Sequence, residues 1–153
     1  MKEKPTNELE AELKALKPGQ LDVYFKENSA YLTDSGKNFY YYFKDTLDKK
    51  NIFLKDVYSF AGVSESYGSK IISLEKHTRN RDLILRLCIA GHFTVDEINR
   101  ALKLYKMSPL YAKDRRDACL IVAVNNRIYN IDKLDELLES GGYKKLSADV
   151  CFS

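Results

Sequence analysis

The sequence predicts an all-α protein, on three observations. Apolar residues recur at helical spacings, as at Leu54, Val57, Tyr58 and Ala61. Residues that start and stop helices stand between these segments, among them Ser64, Asn80, Thr94, Gly62 and Pro18. No segment alternates apolar and polar side chains over the length of a strand. Of the 153 residues, 44% are hydrophobic, which suffices for a packed core in one domain with an extension.

Residues 5–17, PTNELEAELKALK, read as a first helix capped by Thr6 or Asn7, with Leu9, Leu13 and Leu16 on one face. Pro18-Gly19 ends it. LDVYFKENSAYL (21–32) reads as a short helix with aromatic anchors Tyr24, Phe25 and Tyr31, and TDSGK (33–37) as a turn. Residues 1–36 are thus a helical leader, expected to pack on the body that follows.

In residues 37–50, Phe39, Phe43 and Leu47 lie four apart with Tyr40 beside them. The run Tyr40-Tyr41-Tyr42 points three ways on a helix, so at least one ring is expected in solvent. LKDVYSFA (54–61) has one apolar face. Gly62 can take the left-handed conformation by which a chain leaves a helix. Ser64 is a good N-cap for a helix expected from Glu65 to Lys76. On that helix Tyr67, Gly68, Ile71 and Leu74 point one way, and Ser66, Ser69 and Ser73 the other, flanked by Glu65 and Lys70.

HTRN (77–80) is a polar loop, and Asn80 can cap the next helix. RDLILRLCIAGH (81–92) is apolar on most sides and expected to be buried. TVDE (94–97) fits a capping box, and the helix after it should bury Val95, Ile98, Ala101, Leu102 and Tyr105. The chain then repeats itself. Residues 81–110 align with 116–146, with one extra residue in the second copy. Arg81-Asp82 match Arg116-Asp117, and Val95, Ile98, Leu102 and Leu110 match Ile131, Leu134, Leu138 and Leu146. Each copy is an apolar helix, a polar break, an amphipathic helix and a leucine that packs back. Two copies are too few for a solenoid and predict two helical hairpins sharing one core. ESGG (139–142) reads as a helix end with its glycines left-handed, and the tail 147–153 carries no ordering pattern. The domain plan is a leader (1–36), a helical domain (37–107), a C-terminal hairpin packed on it (108–146) and a tail (147–153), with seven or eight helices in all.

The net charge is +3, unevenly spread: residues 1–36 carry −2, 37–80 carry +3, 81–115 carry +3 and 116–153 carry −1. A mildly basic middle is compatible with nucleic acid. No run of about eighteen apolar residues occurs, and the charged N-terminus lacks an apolar signal region. No membrane is expected, and the location is expected to be cytoplasmic. Cys88, Cys119 and Cys151 are odd in number without metal-ligand spacing, and the first two read as reduced core residues. The two histidines, His77 and His92, lie in different loops with no carboxylate or thiol at ligand spacing. No phosphate-binding glycine loop, zinc motif or nucleophile elbow is present, so no catalytic residue, metal or cofactor is expected.

AGVSESYGSK (61–70) is a helix end, a tight turn and a helix start, the middle of a helix-turn-helix. Together with NRDLILRL (80–87), TVDEINRALKL (94–104), SPLYAKDRRDA (108–118) and IDKLDELLESGG (131–142), it resembles the Xre (lambda-repressor-like) helix-turn-helix family. More narrowly, it looks like small helix-turn-helix proteins common in Firmicutes that carry a leader and an added C-terminal helical hairpin. The likeness runs from about residue 21 to residue 146.

The resemblance implies a lambda-repressor-like bundle extended by a C-terminal hairpin, with the helix 64–74 in the major groove. Base contacts would fall to Glu65, Ser66, Ser69, Lys70 and Ser73. Phosphate contacts would fall to Lys55, Tyr67, Lys76, His77, Arg79 and Asn80, with Arg81 a further cation beside them. The chain differs from that family at three places. Phe53 and Leu54 stand where relatives have a polar cap and a phosphate ligand, Glu65 where they often have Arg or Asn, and EKHTRN (75–80) where they have a Gly-Lys-Arg-Asn-Pro loop. The implied function is a sequence-specific DNA-binding transcriptional regulator. Its partners would be double-stranded DNA and, to multiply phosphate contacts, a second copy of the chain. The alternative is a protein-interaction module, an adaptor or inhibitor, that keeps the helix-turn-helix scaffold without DNA and engages a protein through residues 1–36.

Overall fold

A computed structural model of the chain describes residues 6–27 and 38–150, with the side chains of 6 and 25–27 excluded. The aromatic anchors Phe25 and Tyr31, the turn at 33–37 and Cys151 lie outside the described residues. Every regular element among those described is helical. The chain divides into two compact units, Met1–Ser35 and Gly36–Ser153.

The first unit holds α1 (Thr6–Ala15), a single 3-10 turn at Pro18–Gln20 and α2 (Leu21–Glu27). Pro18 starts the turn, where its missing N–H is no loss, and the Gln20 side chain accepts from the Lys17 N–H at 2.9 Å. Leu13, Leu21 and Val23 are exposed.

The second unit holds α3 (Asn38–Lys50), α4 (Leu54–Ala61), α5 (Glu65–Ile72), α6 (Arg81–Ala90), α7 (Val95–Leu104), α8 (Arg115–Asn125) and α9 (Ile131–Ser140). That makes nine α-helices among the described residues, one more than the upper expectation. α3 buries Phe39, Phe43 and Leu47 and packs on α5 and α7. Phe39 meets the Tyr105 ring edge-on at 4.8 Å, and Phe43 lies 5.3 Å from Phe93. Of the three consecutive tyrosines, Tyr41 is exposed, while Tyr40 and Tyr42 pack partly against the core.

α4 buries Val57, Tyr58 and Ala61. Gly62 follows it at φ 74°, and the Val63 N–H reaches back to the Tyr58 carbonyl at 3.1 Å, closing the helix end. Ser64 then accepts from the Tyr67 N–H at 3.1 Å and opens α5. Gly68 is where the two helices touch. A Cβ placed there would lie 2.4 Å from Tyr58 Cδ1, on a buried ring with no free end to swing. In an open helix Gly→Ala stabilises by about 1 kcal/mol. Here overpacking reverses the sign, and Gly68→Ala is expected to destabilise by about 1–2 kcal/mol net, read as a fall in melting temperature.

α5 is shorter than its sequence predicts. It ends at Ile72, Ser73 is the C-cap, and Leu74 sits at φ 65°. Ser73 Oγ donates to the Lys70 carbonyl at 3.3 Å, a side-chain bond that competes with helical continuation. The Tyr105 hydroxyl, from the end of α7, donates to the Ile71 carbonyl at 3.2 Å and accepts from the Thr78 N–H at 3.3 Å. One buried hydroxyl thus ties off the helix end and folds the 73–80 loop back.

α6 is buried along Asp82–Ala90, capped by Asn80. α7 carries the full capping box, with Thr94 Oγ1 accepting from Glu97 N and Glu97 Oε1 accepting from Thr94 N. Ile98, Ala101, Leu102 and Tyr105 are buried as expected, and Val95 only partly. His92 takes φ 57° and stacks on Tyr129 at 4.2 Å.

The repeat is present in three dimensions, and several of its hydrogen bonds recur in both copies. His92 and Arg127, at matching positions, are both left-handed at φ 57°. Asn99 Oδ1 accepts from the Leu110 N–H at 2.8 Å, and Asp135 Oδ1 from the matching Leu146 N–H at 2.8 Å. Arg81 donates to the carbonyls of Ser108 and Pro109, and Arg116 to those of Lys144 and Lys145. Each arginine then crosses to the other copy. Arg81 makes a two-bond pair with Asp117 (2.9 and 2.9 Å), and Arg116 with Asp82 (2.9 and 3.0 Å). Burial alone would raise the Asp117 carboxyl, but the Arg81 guanidinium and the Tyr111 N–H outweigh it and hold its pKa below the ordinary value.

Two readings of the C-terminal segment are corrected. Gly142 alone is left-handed (φ 82°), whereas Gly141 continues the helix at φ −88°. The tail is anchored as far as Val150. Asp149 receives Arg86 Nη1 at 2.6 Å and the Asn80 side-chain amide, and Val150 lies against Gly62, where a Cβ would come within 2.6 Å of it. Arg86 is 2% exposed and also donates to the Ala61 carbonyl (3.0 Å) and the Leu146 carbonyl (2.9 Å). This one side chain joins the end of α4, the leucine that closes α9 and the tail. No helix among the described residues is long and apolar enough to cross a membrane.

Candidate nucleic-acid interface

α5 is held by its inward residues. Gly68, Ile71 and Ile72 are buried against α3 and α4, which fixes the rotation of the helix. The opposite side then follows from the 3.6-residue period. Glu65, Ser66, Ser69 and Lys70 are all exposed on it. Ser73 is half-buried, with its hydroxyl engaged by the Lys70 carbonyl. Tyr67 is a correction: its ring was expected to point inward with Gly68, and it is exposed.

The residues expected to hold phosphates divide into two groups. Lys55, in the first turn of α4, and Lys76, His77 and Arg79, in the loop after α5, are exposed. The His77 ring stacks on Tyr105 at 4.7 Å, which fixes its direction. Asn80 is different. Its Oδ1 caps α6 by accepting from Leu83 N at 3.1 Å, and its Nδ2 donates to Asp149. Both ends of its side chain are engaged inside the fold. Arg81 is likewise engaged, since its guanidinium is bound by Asp117 and two carbonyls.

The electrostatic sum follows. Lys55, Lys70, Lys76 and Arg79 are in no ion pair among the described residues, whereas Arg81, Arg86 and Arg116 each have a carboxylate partner. Lys70 on α5 and Lys55, Lys76 and Arg79 on the segments before and after it are thus four exposed cations. Asp56, Glu65 and Glu75 are also exposed there and oppose them. Such a surface attracts a polyanion weakly and offers directional groups, hydroxyls and one carboxylate, for reading base edges. At the start of α4, Phe53 caps without a side-chain bond and is 69% exposed, as its sequence position implies.

Arg86 was not legible as a structural residue, because it sits in an apolar run and the buried carbonyls it serves are far along the chain. Among the described residues, no group of three or more His, Cys, Asp or Glu side chains could hold a metal ion. Comparisons of the chain with family models, curated proteins and solved structures give no match.

Proposed function

We propose that the protein is a sequence-specific DNA-binding regulator in which α4, residues 62–64 and α5 form a lambda-repressor-like helix-turn-helix, extended by the α8–α9 hairpin. The observation that carries this reading is the outward side of α5: four exposed polar residues in its first two turns, Lys70 among them, with three more exposed cations, Lys55, Lys76 and Arg79, on the flanking segments and no ion pair to any of the four among the described residues. Ser66, Ser69 and Lys70 meet base edges, and Glu65 accepts from a cytosine amino group. Lys55, Lys76 and Arg79 hold phosphates, with Tyr67 and His77 beside them. Asn80 is left out, because its side chain is engaged within the fold.

Three phosphate-holding cations, Lys55, Lys76 and Arg79, set the salt dependence. A slope of about −0.9 per contact gives roughly a fortyfold loss of affinity between 50 and 200 mM salt. A titration on mixed-sequence duplex DNA reads this directly. Ser69→Ala with Lys70→Ala should weaken binding to a selected site by about tenfold or more. Its melting temperature should move by no more than about 2 °C, since both residues are on the surface. Unchanged binding in that variant would remove α5 as the reading helix.

A protein-interaction module on the same scaffold is the second reading. It is favoured by the exposed Phe53 and by Leu13, Leu21 and Val23 exposed in the first unit. Absence of duplex binding at low salt would select it.

A further inference from the structure

We infer that the outer face of α8 is a self-association surface, on which α8 of a second copy packs antiparallel about a two-fold axis. The argument comes from the repeat and stands apart from the DNA-binding reading. Residues 84 and 87 of the first hairpin correspond to 119 and 122 of the second. Ile84 and Leu87 are fully buried, in a helix that packs against both α4 and α7. Within the 36–153 unit the principal neighbours of α8 are α7 and α9, and no helix of that unit takes the part that α4 takes for α6. Cys119 is accordingly half-buried and Val122 is 57% exposed. In the first copy the matching residues are sealed within a packing of apolar helices.

The face is complementary to itself. Arg115, Cys119, Val122 and Asn126 fall at i, i+4, i+7 and i+11 and make one stripe, with the small apolar pair at its centre. A parallel pairing would set Arg115 against Arg115. An antiparallel pairing sets each guanidinium at the C-terminal carbonyls of the other copy, where the helix dipole favours a cation, and beside Asn126 Oδ1, the Asn126 Nδ2 being bound to its own Val122 carbonyl at 2.8 Å. The arrangement closes as a symmetric dimer. It doubles the number of free cations available to a duplex without any new residue.

The test uses the full chain with Cys151→Ser, in the absence of DNA, so that this inference and the DNA-binding reading fail separately. Sedimentation equilibrium should show a reversible rise with concentration from 17.6 kDa toward twice that mass. A short bismaleimide should join Cys119 to Cys119, Cys88 being buried, and Cys119→Ser should abolish the product. Val122→Arg should keep the circular dichroism and melting of the parent, and weaken the dimer by about a hundredfold or more. A parent chain that stays at its single-chain mass at every concentration overturns the proposal. So does a dimer that Val122→Arg leaves intact, or one in which Cys119 does not crosslink. If the face instead covers a different protein, the pure chain is monomeric, and that result also counts against it.

Discussion

Arg86→Met is expected to lower the stability of the 36–153 unit by about 3 kcal/mol, with a fall in melting temperature on the order of 10 °C. The side chain is buried, and its fork serves three acceptors on three separate segments: the Ala61 carbonyl, the Leu146 carbonyl and the Asp149 carboxylate. Methionine fills much of the volume and supplies none of the donors. Each buried carbonyl that loses its donor costs about 1 kcal/mol or more. Asp149 keeps some contact with water and can be rehydrated, which places the total toward the low end for a broken buried pair. Arg86→Lys should recover little, because one ammonium cannot span three acceptors set apart by a planar fork. Chemical denaturation of the three proteins measures the differences.

The same ion pair gives a pH dependence of known sign. Burial raises the Asp149 carboxyl, but hydrogen bonds from Arg86 and Asn80 outweigh it, and the folded pKa lies below the ordinary value. Asp117 is lowered in the same direction. A carboxyl lowered by folding stabilises fully above its unfolded pKa of about 3.9 and loses that contribution as pH falls through the folded value. Stability should therefore be flat near neutrality and drop below about pH 4. Arg86→Met should show a shallower drop, since its Asp149 has lost the partner that lowered it.

Ile71→Asp is the second large effect. Ile71 is buried where α5 meets its neighbours, and an ionised carboxylate there has no donor to meet it. The cost of burying such a group unpaired exceeds about 4 kcal/mol, comparable with the whole stability of a domain this size. The variant should lose cooperative unfolding and its near-ultraviolet dichroism. Ser66→Asp, on the opposite side of the same helix, should melt like the parent within about 0.5 kcal/mol. It should also weaken duplex binding, because it adds an anion to the outward face. The contrast separates what α5 does for the fold from what it offers outward. A folded Ile71→Asp would sink the packing described for α5.

Local signals carried much of this architecture. Gly62 and Ser64 fix the break between α4 and α5 through a left-handed residue and a side-chain cap, both properties of a few adjacent residues. The capping box at Thr94–Glu97 is of the same kind, and the doubled hairpin is legible because its apolar positions recur in order. The end of α5 was not legible. Ile72, Ser73 and Leu74 show no break in helical pattern, and the group that stops the helix, the Tyr105 hydroxyl, arrives from about thirty residues away. Arg81 read as a free cation because its partner, Asp117, is set by tertiary packing; the cap that Asn80 gives α6 was legible, but its bond to Asp149 was not. The candidate surface was visible as a row of serines. Which cations remained available on it depended on contacts between distant segments.

The crossed arginine–aspartate pairs have a consequence for how the hairpins can change. Each copy supplies one base to its sister and one acid in return, so a substitution at Asp82 is felt by Arg116 on the other side of the exchange. Neither copy can drift alone, and reversing one pair by charge swap restores that pair without repairing the other. Both carboxylates and both guanidiniums are committed, which leaves no charge of this kind to recruit a third copy. The exchange is closed at two.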